Sequence, residues 1–379
     1  MSVFQKLTRN GLGLLCSLLP KNPRKAFCQN FSGKGYGDNP KPLADELLRR
    51  GWKVCWAVKG EQEATSLPEG IRPVLLGSIG EIYHRATAGL WVDNCRKWGR
   101  LFKRKNQFYI QTWHGFPLKR IEGDAGDALP PDYIQAAKKD SAMADLFLSD
   151  SKFLTGIYRR AFWYDGEVLE CGFPRNDILF GEHPEIVEKV RRALEIPPGK
   201  RLLLYAPTFR KDKGLEVYDV DYARCIQALE GRFGGEWLIL ARLHPNMADR
   251  AGELGLDPQF VKNASDYPDI QELYLASDAL LTDYSSVMFD YMNTGRPCFA
   301  YVNDLAAYKD DRNFYFDIDK LPFSRAESNN ELVENILAFD EREQAERVRR
   351  FRREFGMVEH TGNAAGKTID YLEQRRNLS

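Results

Sequence analysis

The sequence has few histidines, no paired-cysteine motif, no excess of either charge and no apolar run long enough to cross a bilayer. Only five of the 379 residues are histidine. The seven cysteines form no CxxC pair, which excludes a recognisable zinc site or disulfide framework and predicts reduced, mostly buried thiols. Lys and Arg number 54 and so do Asp and Glu, so a role in coating nucleic acid has no support.

The amino terminus contains a short leucine-rich segment after two basic residues. Its apolar run, within residues 12–19, is shorter than the ~20 residues that span a bilayer. Residues 20–23 (PKNP) do not form the small-residue site at which a signal peptide is cleaved. Residues 1–24 therefore predict either an interfacial helix or a helix packed on the first domain.

What is present favours two folded α/β domains. Apolar residues make up 43% of the chain, and the length predicts two domains. Short apolar segments alternate with helical patterns, as in parallel sheets. Strands of the first series are predicted at residues 27–31, 52–58, 73–76, 90–93, 108–112, 145–149 and 168–171. Strands of the second series are predicted within RLLLYAP, EWLILARLHP, FVKNAS, DALLTDYSS and RPCFAYV.

The segment IPPGKR, residues 196–201, separates the two series with proline and glycine. We therefore expect one Rossmann-like domain over residues 25–180 and another over residues 196–355. In such sheets ligands bind beyond the carboxyl ends of the strands. Two facing domains of this kind predict a central cleft that holds the substrates.

Two histidines follow predicted strands. His114 lies in QTWHGFPLKR and His244 in ARLHPN, one in each series. A single histidine beside glycine or proline is more often structural, but two at equivalent places favour function. His84, His183 and His360 lie among charged residues in helical or loop segments and are interpreted as structural.

Several segments are candidates for binding an anion. Ser285 and Ser286 open a predicted helix after a strand, where free amides and the helix dipole attract phosphate; ordinary capping is the alternative. Thr208 and Arg210 follow another strand, and Arg175 lies in CGFPRND near the hinge.

Two further patterns argue against ATP and against a catalytic metal. The turn SGKGYGD lacks the GK[ST] ending of a P-loop and is predicted to be a tight turn that lets the acceptor approach the backbone. Residues 219–221 and 317–319 each read DxD, but neither pair follows a long strand, so both are interpreted as solvated carboxylates. We expect no cofactor and no catalytic metal.

Taken together and in order, these segments resemble the CDP-glycerol glycerophosphotransferases of teichoic acid and capsule synthesis. The resemblance covers roughly residues 25 to 360. It rests on GYGDNPKPLADEL, QTWHGFPLKRI, GFPRND, YAPTFR, the LHP strand end, SDALLTDYSSVMFDYMNTGRP and DLAAYKDDRNFYFD. It implies the fold of B-type glycosyltransferases, with two Rossmann-like domains and a carboxy-terminal helix, residues 356–379, that returns to the first.

The resemblance also implies roles for matching residues. His114 would be the general base that deprotonates the acceptor hydroxyl, and His244 would face the donor pyrophosphate. Gly35, Asp38, Gly115 and Lys119 would lie on the acceptor side. Asp283 would orient either a donor hydroxyl or the serine loop, unless it is a structural cap. The remaining donor-side candidates are Arg210, Ser285, Ser286, Thr208 and Arg175.

The implied reaction moves glycerol phosphate, or another polyol phosphate, from CDP-glycerol or CDP-ribitol to a glycan or an undecaprenyl-type lipid-linked acceptor. The length of the chain resembles the enzymes that add the first unit, and shorter capsule enzymes share that length. Residues 94–120 contain eight basic residues and no acidic one. Such a basic stretch suits an anionic membrane surface or a lipid pyrophosphate, and we expect a cytoplasmic enzyme that associates peripherally with the inner face of the cell membrane. The alternatives are a nucleotide-sugar glycosyltransferase of the same fold and a non-catalytic module that binds glycan or lipid.

Overall fold

The computed structural model describes residues 11, 13, 15–16, 18–97, 103–208, 218–243, 257–305 and 314–376. The chain divides into two compact units. Unit 1 consists of residues 1–114, 121–177 and 357–379, and unit 2 consists of residues 115–120 and 178–356.

Unit 1 is built on a parallel sheet of seven strands in the order β3-β2-β1-β4-β5-β6-β7. The strands are β1 (Asn22–Gln29), β2 (Lys53–Val58), β3 (Ile71–Leu75), β4 (Ala88–Asp93), β5 (Phe108–Gln111), β6 (Leu146–Ser149) and β7 (Glu167–Glu170). The central strands are buried along most of their length, as their nearly continuous apolar sequences require of a sheet covered on both faces.

The α-helices of unit 1 alternate with the strands, except between β4 and β5, where the described residues contain no helix. They are α1 (Pro40–Arg49), α2 (Glu61–Thr65), α3 (Ile79–Thr87), α4 (Pro131–Met143) and α5 (Lys152–Ala161). Leu43 and Leu47 of α1 bury their side chains against Trp56 and Leu90 of the sheet. The spacing of four places both leucines on one face of the helix, which is why α1 packs flat on the strands.

Unit 2 contains a second parallel sheet, with six strands in the order β10-β9-β8-β11-β12-β13. The strands are β8 (Lys200–Tyr205), β9 (Glu236–Ala241), β10 (Val261–Asn263), β11 (Ala279–Thr282), β12 (Cys298–Tyr301) and β13 (Ser324–Ala326). This is the doubly wound order, in which the first strand lies at the centre. The predicted fold class of two Rossmann-like units is confirmed.

The described helices of unit 2 surround this sheet. They are α6 (Pro184–Ala193), α7 (Tyr222–Phe233), α8 (Ile270–Ala276), α9 (Val287–Tyr291), α10 (Asn329–Leu337) and α11 (Glu341–Glu354). One core joins Ile226 and Leu229 of α7 to Leu332 and Ile336 of α10 and to Ile239 of the sheet.

The last helix, α12 (Ala364–Arg376), belongs to unit 1, as the resemblance implied. Ile369 and Leu372 are fully buried in the core that also contains Leu43 and Leu47 of α1. Asp177 accepts hydrogen bonds from the main-chain N–H groups of Ala364 and Ala365 at 2.7 and 2.8 Å, which satisfies free donors at the start of the helix. The carboxy terminus is therefore an integral part of the first unit.

A short segment of the first series, Gly115–Arg120, belongs to unit 2. Phe116 is 1% exposed and lies within an aromatic cluster. Its ring centroid is 4.7 Å from that of Phe289 and 5.8 Å from that of Phe355. Leu118 O accepts a hydrogen bond from Tyr315 N at 2.9 Å. His114 and Phe116 are thus almost adjacent in the chain but belong to different units.

The boundaries differ in detail from the expected ranges. The second segment of unit 1 ends at Asp177, so α6 and the segment IPPGKR lie within unit 2. β1 begins at Asn22, inside the range 1–24 that was assigned to a terminal helix, and ends at Gln29, two residues before Phe31. Residues 1–10 lie outside the described part of the chain, so the predicted helix there is not tested.

Candidate active site

The sheet of unit 1 reverses its strand order between β1 and β4, and a buried asparagine follows each of these strands. Asn94 Nδ2 donates to Asn30 Oδ1 at 2.8 Å. Asn94 Oδ1 accepts from the main-chain N–H of Phe31 at 2.9 Å, and Asn30 Nδ2 donates to Lys34 O at 2.8 Å. Doubly wound sheets bind ligands at this point of reversal. The two side chains therefore order the backbone at the expected ligand position.

His114 lies on the turn after β5 and is oriented by Asn94. Its Nδ1 is 2.8 Å from the main-chain oxygen of Asn94. A carbonyl oxygen can only accept, so Nδ1 carries the proton and Nε2 carries the lone pair. Burial lowers the pKa of His114, while the hydrogen bond to Asn94 and the charge of Asp38 act in the opposite direction. The imidazole is therefore neutral at pH 7 and accepts a proton at Nε2.

The backbone around His114 is strained. Four of the seven non-glycine residues with positive φ in the described chain lie in the loops after β1 and β5: Phe31, Ser32, Asp38 and Trp113. For an aromatic residue such as Trp113, with φ of 52°, this conformation is a genuine outlier. Residues in such conformations cluster at functional sites and persist only when neighbouring contacts hold them.

Ring contacts support this turn. The Trp113 ring stacks on His114, with the centroids 4.0 Å apart and an interplanar angle of 29°. The edge contact of Trp113 with Phe162, at 4.6 Å, holds it from the other side.

Arg175 lies in unit 1, where its side chain contacts the turn that carries His114. Its Nη1 donates to Asp38 Oδ2 at 2.7 Å and to the main-chain oxygen of His114 at 2.8 Å. Both side chains of the ion pair are nearly buried. The sequence interpretation placed Arg175 among donor-binding residues. In the structure it contacts Asp38, an acceptor-side candidate, and its predicted role in donor binding stays a prediction.

The other acceptor-side candidates are two glycines and a lysine. Gly35 has φ of 62° within the loop after β1, in agreement with a tight turn, and its oxygen accepts from Trp56 Nε1 at 3.2 Å. Gly115 has φ of 133° and belongs to unit 2. Lys119, also in unit 2, forms an antiparallel bridge with Phe314.

The sheet of unit 2 reverses between β8 and β11, and Thr208 and Asp283 meet there. Both carboxylate oxygens of the buried Asp283 accept from the main-chain N–H of Thr208, at 3.0 and 2.9 Å. Thr208 Oγ1 donates to Asp283 Oδ1 at 2.6 Å. Thr282 Oγ1 donates to Ala206 O at 2.7 Å, which joins the same two strand ends. Asp283 therefore holds the turn after β8, and its predicted role toward a donor hydroxyl or the serine loop stays a prediction.

Ser285 and Ser286 precede α9, which has only five residues. Ser286 occupies the N-cap position, but its side chain accepts no capping hydrogen bond. Ser285 Oγ accepts from Val287 N at 3.5 Å, a long contact. Simple capping therefore does not explain the serine pair, and its role as a phosphate cradle stays a prediction.

His244 and Arg210 lie outside the described residues, so their predicted roles stay predictions. The strands that lead to them are described. β9 ends at Ala241, and the following Leu243 N donates to Ser265 Oγ at 3.0 Å.

The other three histidines have structural contacts. His360 Nε2 donates to Phe173 O at 3.1 Å and its Nδ1 accepts from Gly362 N at 3.2 Å. A Cβ atom on Gly172 would lie 2.3 Å from this ring, so only glycine fits there. His84 Nδ1 is 3.4 Å from the buried Cys55 Sγ, and burial lowers the pKa of His84 to about 4. His183 lies 3.5 Å from Glu185.

Carboxylates of both DxD pairs have local structural roles. Asp221 accepts from Arg224 N at 3.1 Å and caps α7. Asp317 accepts from Asp319 N at 3.1 Å, and Asp319 forms an ion pair with Arg325. Among the residues that the structure describes, no group of three or more His, Cys, Asp or Glu side chains is arranged to hold a metal ion.

Three basic residues of the stretch 94–120 are paired with acidic residues outside it, and contact of the stretch with a membrane surface or a lipid pyrophosphate stays a prediction. Arg96 is buried and pairs with Glu122 at 2.8 Å and with Asp140 at 3.3 Å. The buried Lys97 pairs with Asp93, and Lys103 pairs with Asp145 at 2.8 Å. Since the acidic partners lie outside the stretch, local sequence alone overstated its charge. Within the described residues, no helix is long and apolar enough to span a membrane.

Sequence reasoning missed the asparagines. Asn30, Asn39 and Asn94 are all buried, and each follows a strand or a glycine-rich turn. The usable signal was a polar residue directly after each central strand, QN after β1 and DN after β4. Trp113 was also missed, although it precedes the predicted base.

Comparison with known proteins gives one consistent result. The family model described as CDP-glycerol:poly(glycerophosphate) glycerophosphotransferase matches residues 14–374. A teichoic acid glycerol-phosphate transferase of Staphylococcus aureus (strain NCTC 8325 / PS 47) is 34% identical over 355 residues, which cover 90% of each chain. A teichoic acid poly(glycerol phosphate) polymerase of Bacillus subtilis (strain 168) is 33% identical over 343 residues, which cover 87% of this chain and 46% of the polymerase. This chain thus matches less than half the length of that polymerase.

The fold comparison agrees. A structure of the wall teichoic acid polymerase TagF soaked with CDPG has a TM-score of 0.85 and 28% sequence identity, and the match covers 98% of this chain and 94% of that one. A putative UDP-N-acetylglucosamine 2-epimerase from Listeria monocytogenes shares the fold alone, with a TM-score of 0.53 and 13% identity.

Proposed function

We propose that this chain, which belongs to the CDP-glycerol:poly(glycerophosphate) glycerophosphotransferase family, transfers glycerol phosphate from CDP-glycerol to a hydroxyl group of a glycan or lipid-linked acceptor. The family predicted from the motifs is confirmed by the match over residues 14–374. The Staphylococcus aureus glycerol-phosphate transferase, similar over 90% of both chains, supports the activity in teichoic acid synthesis.

The observation that carries the proposal is the 2.8 Å contact of His114 Nδ1 with Asn94 O, which assigns the ring proton to Nδ1. In the reaction, the acceptor oxygen forms a bond to the β-phosphorus of CDP-glycerol, the bond from that phosphorus to the bridging oxygen breaks, and CMP leaves. The acceptor proton passes to His114 Nε2, which has the free lone pair because Nδ1 donates to Asn94 O. Phosphoryl transfer otherwise needs alignment and neutralisation of charge rather than a covalent intermediate.

The donor side is assigned to unit 2. Thr208, held by Asp283, lies at the reversal point of the second sheet, where doubly wound sheets bind nucleotides. Ser285 and Ser286 follow the adjacent strand and supply hydroxyl groups for the pyrophosphate. Arg210 and His244 complete the proposed anion site. Since Asp221 and Asp317 cap helices, the proposal includes no catalytic metal.

We also propose that the enzyme works at the cytoplasmic face of the membrane, where a lipid-linked acceptor is accessible. Leu15, Leu18 and Leu19 are exposed, at 63%, 79% and 39%, which suits an interfacial segment. Sedimentation with anionic phospholipid vesicles at low salt tests this proposal. Absence of binding would contradict it, whereas binding that is lost in Leu15→Ser/Leu18→Ser would support it.

The transfer is tested by CMP release from CDP-glycerol and from CDP-ribitol with a soluble lipid-disaccharide acceptor. We expect acceptor-dependent release from CDP-glycerol, reduced by roughly 10²-fold to 10⁴-fold in His114→Ala. His183→Ala is the matched control, since His183 pairs only with a neighbouring glutamate in the described contacts.

The outcomes separate the alternatives. Faster release from CDP-ribitol would reassign the polyol. Transfer from a nucleotide sugar without release from either CDP donor would identify a glycosyltransferase of the same fold. No transfer at all, with intact glycan or lipid binding, would identify a binding module.

A further inference from the structure

We infer that Asn39 is a positioning residue for the reaction: its side-chain amide fixes the Trp113–His114 peptide and thereby the orientation of the His114 imidazole. The inference rests on the proposed function, in which His114 is the base. It concerns a residue whose side-chain hydrogen bonds go to two main-chain groups, Trp113 O and Arg175 N.

The first observation is that the Asn39 side chain does not cap its own helix. It occupies the N-cap position of α1, where an asparagine side chain usually accepts a hydrogen bond from the first turn. Its side chain makes no such bond. A residue type suited to capping has instead turned its amide away from its own helix, so a local structural role does not account for it.

The second observation is where the amide goes. Asn39 Nδ2 donates to Trp113 O at 3.0 Å, and Asn39 Oδ1 accepts from Arg175 N at 3.1 Å. Asn39 is fully buried. One side chain thus joins two loops that are 74 and 136 residues away from it in sequence.

The third observation is the conformation that is held. Trp113 has φ of 52°, which a tryptophan does not adopt without support. Its oxygen accepts from Asn39 and also from Thr112 Oγ1, at 2.9 Å, while its N–H donates to Gln111 Oε1 at 3.0 Å. Of these partners only Asn39 comes from a distant segment, so it ties the strained peptide to the rest of unit 1.

The neighbouring Asp38 completes the arrangement. Its carboxylate binds Arg175, and Arg175 Nη1 donates to His114 O at 2.8 Å. The Asp38–Asn39 dipeptide therefore acts on both consecutive carbonyl groups, that of Trp113 directly and that of His114 through Arg175. Free rotation of this turn would detach His114 Nδ1 from Asn94 O and release the tautomer that leaves Nε2 basic.

The test compares wild type with Asn39→Ala and Asn39→Asp. In its ionised form the aspartate keeps the volume and the oxygen that accepts from Arg175 N but has no donor for Trp113 O. Gln344→Ala is the matched control, because the buried Gln344 amide also donates to one main-chain oxygen (Arg296 O, 2.9 Å) and accepts from one main-chain N–H (Cys298 N, 3.1 Å). Gln344 lies in unit 2 and outside the proposed machinery.

Two readouts are needed. Nitrogen-15 spectra of the histidine rings, with His114 assigned by comparison with His114→Gln, report the tautomer without substrate. Steady-state CMP release reports kcat and the KM for CDP-glycerol. We expect both Asn39 variants to lose the Nδ1–H tautomer and to lower kcat by roughly 10-fold to 100-fold, because small misplacements of a catalytic group have effects of this size. The KM for CDP-glycerol is expected to change less than about 3-fold, and Gln344→Ala to match wild type in both readouts.

Wild-type tautomer and wild-type kcat in a folded Asn39 variant would overturn the inference. If Asn39→Ala does not fold, Asn39→Asp decides, because it preserves packing. A wild-type protein that releases no CMP from either CDP donor would refute the proposed function alone. The ring spectra would then still decide whether Asn39 sets the tautomer.

Discussion

The two sheets reverse their strand order at equivalent places, yet the side chains there are of different kinds. In unit 1, the side-chain amides of Asn30 and Asn94 join the ends of β1 and β4. Arg175 donates a hydrogen bond to the main-chain oxygen of His114 in the same unit. In unit 2, one carboxylate holds the main chain of Thr208, with serine hydroxyls close in sequence. The shared topology supplies the location, and the local residues supply the chemistry.

The difference indicates that the two units have different functions. In unit 1, the loops after β1 and β5 are strained and nearly buried, and hydrogen bonds join them to several other segments. Such an arrangement suits a group that must keep one orientation. The unit 2 region presents hydroxyl groups on a turn, which suits binding of an anion. Substitutions of Asp38, Asp283 and Asp221 and the pH dependence of the rate test this contrast.

Removing the carboxylate in Asp38→Ala should have the largest effect. The loss breaks a nearly buried ion pair with Arg175, which costs about 3 kcal/mol of unfolding free energy in comparable pairs. Urea unfolding measures the loss, and acceptor-dependent CMP release should fall as well. Asp124→Ala, which breaks a more exposed pair with Arg160, is the control and should cost less than about 1 kcal/mol. Equal losses of unfolding free energy in both variants would mean that the Asp38–Arg175 pair contributes no more than a more exposed pair does.

Removing the carboxylate in Asp283→Ala should act on the donor instead. Hydrogen bonds to a charged group contribute about 1.5–3 kcal/mol, so loosening of the Thr208 turn should raise the KM for CDP-glycerol roughly 10-fold to 100-fold. Thr208→Ser keeps both donors and should behave like wild type. If Asp283→Ala lowered kcat and left KM unchanged, the donor would not bind at this turn.

The DxD pair at residues 219–221 should matter only for stability. Asp221→Ala removes the cap of α7, a loss of about 1 kcal/mol. We expect CMP release to be unchanged and to persist in EDTA. A parallel loss of activity in the variant and in EDTA would instead establish a metal at this pair.

The smallest expected effect is on the pH dependence of the reaction rate. Burial lowers the pKa of His114, so the neutral base persists at pH values below the ordinary imidazole pKa of about 6.5. The rate should therefore be constant above that pH and fall only as the pH drops through the lowered pKa. The unfolded chain binds this proton more readily, so His114 contributes stability above pH ~6.5 that is lost as the pH falls. An acid limb in kcat/KM above 6.5 would exclude His114 as the base.

Much of the fold was predictable, because its signals are local. Apolar runs such as those of β2, β8 and β11 identify buried strands, and the strand-end positions of His114 and Thr208 follow from the same pattern. The short strand β13 was missed, since Ser324–Ala326 carries little apolar signal.

The partners in the site were not predictable in the same way. Arg175 and Asp38 are 137 residues apart, and Arg96 reaches Glu122 and Asp140 from a stretch that looks uniformly basic. Periodicity and spacing describe neighbours along the chain. They do not describe which loops meet after the sheet has formed.

The amino-acid sequence was thus enough to identify the alternation of strands and helices, the family, and the residue types at the ends of the central strands. That Asn39 binds Trp113 O instead of capping its own helix, and that Asn94 selects the His114 tautomer, became visible only in the folded chain. The physical reason is that a hydrogen bond depends on distances of about 3 Å, and packing of remote segments alone sets those distances.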